Sequence, residues 1–334
     1  MPHVPVNDYP WKGEFPDTPN WSENFLLAGQ DPKAGVGFWM HCGRWRKDLD
    51  MFRETVVVRL PDGTVAASRA IGNANSAEDG PGGPHYAIRI VEPGAKLTYR
   101  YNGGIRRVPS HEMKTALVEE GPRTPMKIEL TFESNADVWD LHKVGGTQDF
   151  LPAGHIEQIG RVTGTIQVGN DRYEIDTVAN RDHSLGPRDN KDLINHQWHQ
   201  GYFENGISFL LFDAMKRSDG KVVFSEAAVY EGDKLYDATL ELPWRCDDAA
   251  RDHDPVQFKL HYANGTLDIQ TTEYQTDSYL SLTSPNDQYV GVYPTEGTPT
   301  MVLAEQSVGL MLNGSVPGYG CFERTINGHV EPEE

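Results

Sequence analysis

Basic side chains are the scarce class in this chain: 30 lysines and arginines stand against 49 aspartates and glutamates, a formal net charge of −19 over 334 residues. No run of Lys or Arg makes a local exception, so phosphate backbones and anionic membrane surfaces are repelled and no nucleic-acid partner is expected. Cysteine is nearly absent. Cys42, Cys246 and Cys321 are odd in number and far apart, which argues against a disulfide framework or a C-x-x-C knuckle and for buried free thiols. Long apolar runs are missing too. The longest, Ile207 to Met215, is broken by Ser208 and Asp213 and falls well short of the roughly 20 residues of a spanning helix. Met1 to Trp11 carries no basic segment followed by an apolar one, so no secretory signal is read. A soluble, cytoplasmic protein with no membrane insertion is expected. Finally, there is no G-x-G-x-x-G after a strand and no G-x-x-x-x-G-K-[ST], so no nucleotide cofactor is expected.

What the chain does contain is strand after strand. Thr55–Leu60, Tyr86–Val91, Lys96–Tyr101, Met126–Glu133, Arg161–Val168, Arg172–Val178, Ile207–Asp213 and Lys221–Tyr230 are short runs rich in β-branched and aromatic residues, and many alternate apolar with polar. Turn formers such as Pro61-Asp-Gly63, Glu92-Pro-Gly94, Ser218-Asp-Gly220 and Ala263-Asn-Gly265 separate them, the punctuation of an antiparallel barrel or sandwich. Only Pro109 to Glu120 and Trp21 to Ala28 compete as short helices. Gly72 to Pro84, rich in Gly and Pro, reads as a loop, either a plain solvated one or a cover over a pocket. A second break at residues 143 to 154 reads as a linker and divides the chain into two β domains, 1–150 and 151–334.

Charge gathers in Arg181-Asp-His-Ser-Leu-Gly-Pro-Arg188-Asp-Asn. The Gly186-Pro187 pair bends or stiffens the backbone, so the segment reads as a turn. Arg181 and Arg188 can brace a carboxylate, and a braced Asp182 can orient His183. A salt-bridged loop that only locks two strands together explains the same residues. Three other segments concentrate polar groups. On an extended strand His41 shares a face with Trp39, and Trp45 supplies an indole wall. His155 and Glu157 fall on one face, an acid/base couple or a surface pair. His196 and Trp198 share a face, with His199 on the other and Tyr202 nearby. No H-E-x-x-H is present among the twelve histidines, although His155, His183 and His196 or His199 can still converge on a metal. No G-x-S-x-G surrounds Ser184.

Taken together, His155-Ile-Glu-Gln-Ile-Gly-Arg-Val-Thr-Gly-Thr-Ile166, then Asn180-Arg-Asp-His-Ser-Leu-Gly-Pro-Arg-Asp189, and the closing Gly318-Tyr-Gly-Cys-Phe-Glu-Arg324 resemble a superfamily of two-domain lipocalin-like proteins. It includes carotenoid 1,2-hydratases (hydroxyneurosporene synthases) and Diels–Alderase-like proteins. The resemblance is specific over roughly residues 151 to 215 and architectural in the N-terminal half. It departs at Leu185, where the family usually has Trp, and at Asn180. It implies an all-β protein of two lipocalin-like antiparallel β-barrels packed together, with a cavity in or between them.

By the same resemblance, the activity is hydration, elimination or isomerisation of a hydrophobic small molecule without a redox cofactor. The expected reading is a cofactor-independent lyase acting on an isoprenoid or aromatic molecule. His183 or Asp182 would move the proton, Arg181 and Arg188 would hold the Asp carboxylate or polarise substrate oxygen, and His155 and Glu157 would form a second couple. His41, Trp45, Tyr86, Trp198, His196 and Tyr202 would contact the substrate. No metal is assigned. A hydrophobic-ligand carrier and a metal-dependent hydrolase are the competing readings, and homo-oligomerisation stays open.

Overall fold

Runs of β-branched and aromatic residues between glycine-containing turns form antiparallel strands throughout. The computed structural model describes residues 7–13, 20–44, 48, 50–73, 80–118, 121–141, 154–188, 192–216, 218–241, 253–284, 287–292 and 301–327. The first sheet holds β1 (Trp21–Asp31), β2 (Val36–Arg44), β3 (Met51–Arg59), β4 (Thr64–Asn73), β5 (Tyr86–Glu92), β6 (Lys96–Pro109), β7 (Thr124–Glu133), β8 (Trp139–Asp140), β9 (Gly154–Val168) and β10 (Asp171–Pro187). The second holds β11 (Leu193–Phe203), β12 (Ile207–Lys216), β13 (Val222–Glu231), β14 (Lys234–Glu241), β15 (Gln257–Tyr262), β16 (Gly265–Ser284), β17 (Asp287–Val290), β18 (Met301–Leu312) and β19 (Val316–Asn327).

Each sheet curls until its ends meet. In the first, β10 pairs with both β1 and β9, closing the order β10-β1-β2-β3-β4-β6-β7-β9. In the second, β15 pairs with β14 and β16, closing β15-β14-β13-β12-β11-β19-β18-β16. Eight strands give a ring whose interior side chains can fill, and here they do. Phe38, Val56, Ile128 and Val162 pack inside the first barrel, and Phe209, Val229, Phe258 and Leu310 inside the second.

A third apolar cluster joins the two rings: Leu26, Trp39 and Val57 on the outside of the first barrel meet Trp198, Leu210 and Tyr279 of the second. Strands at this junction are therefore buried on both faces. β1 and β2 are buried at every position, whereas solvent-facing β7 alternates buried with exposed or half-buried residues. That double burial explains two departures from the sequence reading. Trp21 to Ala28 is strand, not helix, because apolar residues on both faces erase the period of two. The segment from Arg181 to Pro187 is also strand rather than turn, paired with β1 along its whole length and with β9 as far as Leu185. Gly186, at φ 136°, carries the irregularity within the extended run.

Of the predicted helix at Pro109 to Glu120, only α1 (Ser110–Met113) forms. The linker read at 143–154 lies almost wholly outside the described residues, as do residues 74–79 of the Gly72 to Pro84 loop. The change of sheet falls at residues 188–192 instead. Residues 154–187 belong to the first barrel, because β9 and β10 are the strands that close it, so the boundary at 150 is replaced by one near 190. Among the described residues no helix is long and apolar enough to cross a membrane.

Candidate active site

Strand alternation divides the charged cluster in two. Odd residues of β10 point into the first barrel and even ones toward the junction. Arg181 extends inward to Asp8, Nη1 to Oδ1 at 2.7 Å, and donates from Nε to Gln158 Oε1 at 2.9 Å. His183 stacks on Phe25 with ring centroids 4.0 Å apart and meets Glu23 Oε1 at 3.0 Å and the Asn7 carbonyl on its other nitrogen. Glu23 also binds Arg44 Nε at 3.0 Å. These residues clamp the N-terminal segment around Asn7 and Asp8 into the barrel. His183, 1% exposed, lines no part of the cavity described next.

Asp182 points the other way, into a cavity of about 130 Å³ between the barrels. Its cross-strand partner is Glu157, and Ser184 faces His155. Two carboxylates directly opposite one another repel, and His155 relieves them: Nε2 lies 2.7 Å from Asp182 Oδ2 and 2.9 Å from Glu157 Oε1. Burial alone would push this imidazole down. The Asp182 charge and the hydrogen bonds to Asp182 and Glu157 outweigh burial and raise its pKa to about 9. Burial, aided by the Asp182 charge, raises Glu157 against the pull of His155. Glu157 also accepts from Trp198 Nε1 at 3.0 Å and from Asn180 Nδ2. His155 Nδ1 is buried with no hydrogen-bond partner among the described residues.

The second barrel supplies the opposite wall. His196 Nε2 contacts Glu323 Oε1 and lies 2.9 Å from Thr325 Oγ1. Glu323 lies directly across from Glu305 on β18. Burial, then the neighbouring Glu323 charge, raise Glu305 well above the usual carboxylate range. Burial opposes ionisation of Glu323 as well, but the His196 contact prevails and lowers it. Thus each wall presents a histidine beside a carboxylate: His155 with Glu157 and Asp182 on one side, His196 with Glu323 on the other, and Glu305 behind Glu323 outside the cavity lining. Phe212 lies between the histidines, stacked on His196 at 5.3 Å and edge-on to His155 at 6.4 Å.

Arg188 and His41 complete the polar lining, and Leu26, Trp39, Met301 and Leu303 the apolar one. His41 stacks on Trp39 at 5.2 Å and meets Asn24 Oδ1 at 3.0 Å. Burial, then the charges of Arg53 and Arg188, hold it well below the usual histidine pKa.

The predicted site residues therefore separate. Asp182, Arg188, His155, Glu157, His41, Trp198 and His196 converge on one cavity. Arg181 and His183 do not, because they occupy the inward positions of β10. Tyr86 is buried in the first barrel core with its hydroxyl 3.4 Å from the Met40 carbonyl. Tyr202 lines a different groove, of about 790 Å³, bounded also by Ile159 and Tyr319. Trp45 lies outside the described residues. Sequence reasoning missed Asn24, Arg53, Phe212 and Glu323. Glu323 was within reach, since it lies in the closing Gly318 to Arg324 segment, on one strand face with Cys321 and the following Thr325. Asn24 and Arg53 carry no local signal.

His155, Glu157 and Asp182 offer ligand atoms all within 4.8 Å of one another, a set able to hold a metal ion. The same atoms are already engaged as hydrogen-bond partners. The Arg188 charge acts on Asp182 from nearby, which opposes a further cation.

A protein from Nitrosomonas europaea described as a candidate AttH is similar in fold, with TM-score 0.56, 15% identity, and 99% of this chain and 100% of that one covered. CghA, solved with Sch210972, gives TM-score 0.55 at 12% identity, covering 98% and 94%. These likenesses show a shared two-barrel fold. No curated protein matches the sequence. The model of one family does match, over residues 13–275, and the chain belongs to that family, the domain of unknown function DUF7064.

Proposed function

We propose that this protein is a cofactor-independent lyase that adds or removes water, or a small fragment, across a carbon–carbon bond of an apolar small molecule in the cavity between its barrels. The observation that carries this reading is the pair of histidine–carboxylate couples facing one apolar cavity from opposite walls. The two couples hold their protons differently, as an acid and a base working together require. His155, with its pKa at about 9, carries a proton at neutral pH. Its Nε2–H is held between Asp182 and Glu157, so Nδ1–H, which has no hydrogen-bond partner among the described residues, is the proton available to a ligand. On the far wall Glu323, held as the carboxylate beside His196, is the acceptor. In a dehydration His155 protonates the departing hydroxyl, the C–O electrons leave with it as water, and the neighbouring C–H proton passes to Glu323 while its electrons form the new double bond. CghA was solved with a small molecule, Sch210972, which supports a small-molecule ligand on this fold.

This reading moves the proton-transfer role from His183 to His155. Incubating the protein with apolar metabolite fractions, and searching by mass spectrometry for products that differ from a parent by water or formaldehyde, tests it. Products should form with the native protein and not with His155→Gln. A turnover that survives in His155→Gln would discard the assignment.

One observation favours a second reading, a metal-dependent hydrolase: the convergence of His155, Glu157 and Asp182. Metal analysis of the purified protein and loss of turnover on chelation would select it.

A further inference from the structure

Arg188 lines the same cavity and, among the described residues, has no ion-pair partner. Arg188 donates from Nη2 to Ser184 Oγ at 2.5 Å, and its backbone N–H donates to the Asn20 carbonyl at 3.1 Å. Its Nε is buried with no hydrogen-bond partner among the described residues. Unlike Arg181, which reaches Asp8, it makes no ion pair among the described residues. Asp182 and Glu323 act on it only through their field, and burial depresses its pKa.

A buried guanidinium with an open donor edge is costly unless something pairs with it. The carboxylates nearby are committed elsewhere, Asp182 to His155 and Glu323 to His196. His41, whose Nδ1 also has no hydrogen-bond partner among the described residues, is lowered first by burial and then by the nearby Arg53 and Arg188 charges. Beyond it the wall turns apolar at Trp39, Trp198 and Phe212.

We propose that the ligand of this cavity is a compact apolar molecule bearing a carboxylate, seated with the carboxylate on the open edge of Arg188 and the hydrocarbon body against Trp39, Trp198 and Phe212. The inference rests on the acid–base reading of the same cavity and narrows its substrate. A planar carboxylate matches the planar fork of a guanidinium, and Ser184 holds that fork in one orientation. The cavity, about 130 Å³, is close to the roughly 150 Å³ of an engineered apolar void that takes up benzene, so a single ring is a fitting body.

Benzoate and its neutral isostere benzamide are the probes, titrated calorimetrically into the whole protein. Native protein should bind benzoate about tenfold tighter than benzamide, and Arg188→Gln should abolish that ratio while leaving benzamide affinity nearly unchanged. Circular dichroism checks that the variant is folded, and if it is not, the native benzoate-to-benzamide ratio decides alone. Equal affinities, no benzoate binding, or a preference that persists in a folded Arg188→Gln protein would overturn the proposal. Benzoate preference without turnover of any carboxylic acid keeps the carboxylate site and removes the lyase. Turnover of a neutral molecule, with equal affinities for the probes, keeps the lyase and removes the carboxylate site.

Discussion

Asp182 Oδ2 lies 2.7 Å from His155 Nε2, and the strand pairing that brings it there also sets Asp182 directly opposite Glu157. One imidazolium thus compensates two buried carboxylates that would otherwise repel. Structure and chemistry meet in this residue, since the carboxylates that hold Nε2–H between β9 and β10 keep the ring protonated, and Nδ1–H is the proton it would give a substrate.

Stability should depend on that proton. His155 titrates higher in the folded protein, at about 9, than in the unfolded chain. The folded state therefore holds the proton more tightly, and the gain is full below the ordinary histidine value and lost as pH rises through about 9. The loss amounts to about 3 kcal/mol. Thermal melts between pH 7 and pH 10 should show the native midpoint falling more steeply than that of His155→Gln, and parallel curves would refute the linkage.

Asp182→Asn keeps the side-chain shape while removing the charge that raises His155. Turnover at neutral pH should fall by about 10²- to 10⁴-fold, the usual worth of a positioned proton donor. The alkaline limb of the pH–rate profile should move to lower pH. A fall in rate with an unmoved limb would mean that Asp182 acts some other way.

Glu305 supplies a test free of any substrate. Its carboxyl is raised well above the usual range by burial and by Glu323, so it is protonated over part of the range in which the unfolded chain has already ionised. Stability on its account is full below the ordinary carboxylate value and drains away as pH rises above it. Glu305→Gln mimics the protonated form. It should match the native protein near pH 4 and melt a few degrees higher near pH 7, about what 1 kcal/mol achieves in a chain of this size. A lower melting point near pH 7 would show Glu305 to be ionised.

Asp8→Ala should act on stability alone. It leaves the Arg181 guanidinium buried without its 2.7 Å partner, a loss of about 3–5 kcal/mol. Urea unfolding reads that loss, and amide exchange should accelerate around Asn7 and Asp8. Turnover per folded molecule should hold, whereas its collapse would return Arg181 to the active site.

The architecture was legible because hairpin turns and β-branched runs are local signals. Eight expected strands all formed; Gly63, Gly94 and Gly220 each sit at a left-handed turn position between strands, and Gly265 opens β16 at φ 145°. Trp21 to Ala28 misled because it is buried on both faces. For the site, alternation correctly paired His155 with Glu157, His196 with Trp198 and His41 with Trp39. It was not applied to Arg181 through Arg188, because Gly186-Pro187 read as a turn. Read as a strand, those residues would have separated Asp182 from its two neighbours. Asn24 and Arg53 reach the cavity through barrel closure, a long-range pairing that no short window contains.

The most direct test compares turnover per folded molecule in His155→Gln and His183→Gln, on whichever substrate the mass search yields. One ring lies in the cavity between the barrels, the other inside the first barrel against Phe25 and Glu23. Loss of about 10²-fold or more in His155→Gln, with turnover retained in His183→Gln, is the predicted result. The reverse pattern would contradict the placement of the active site between the barrels.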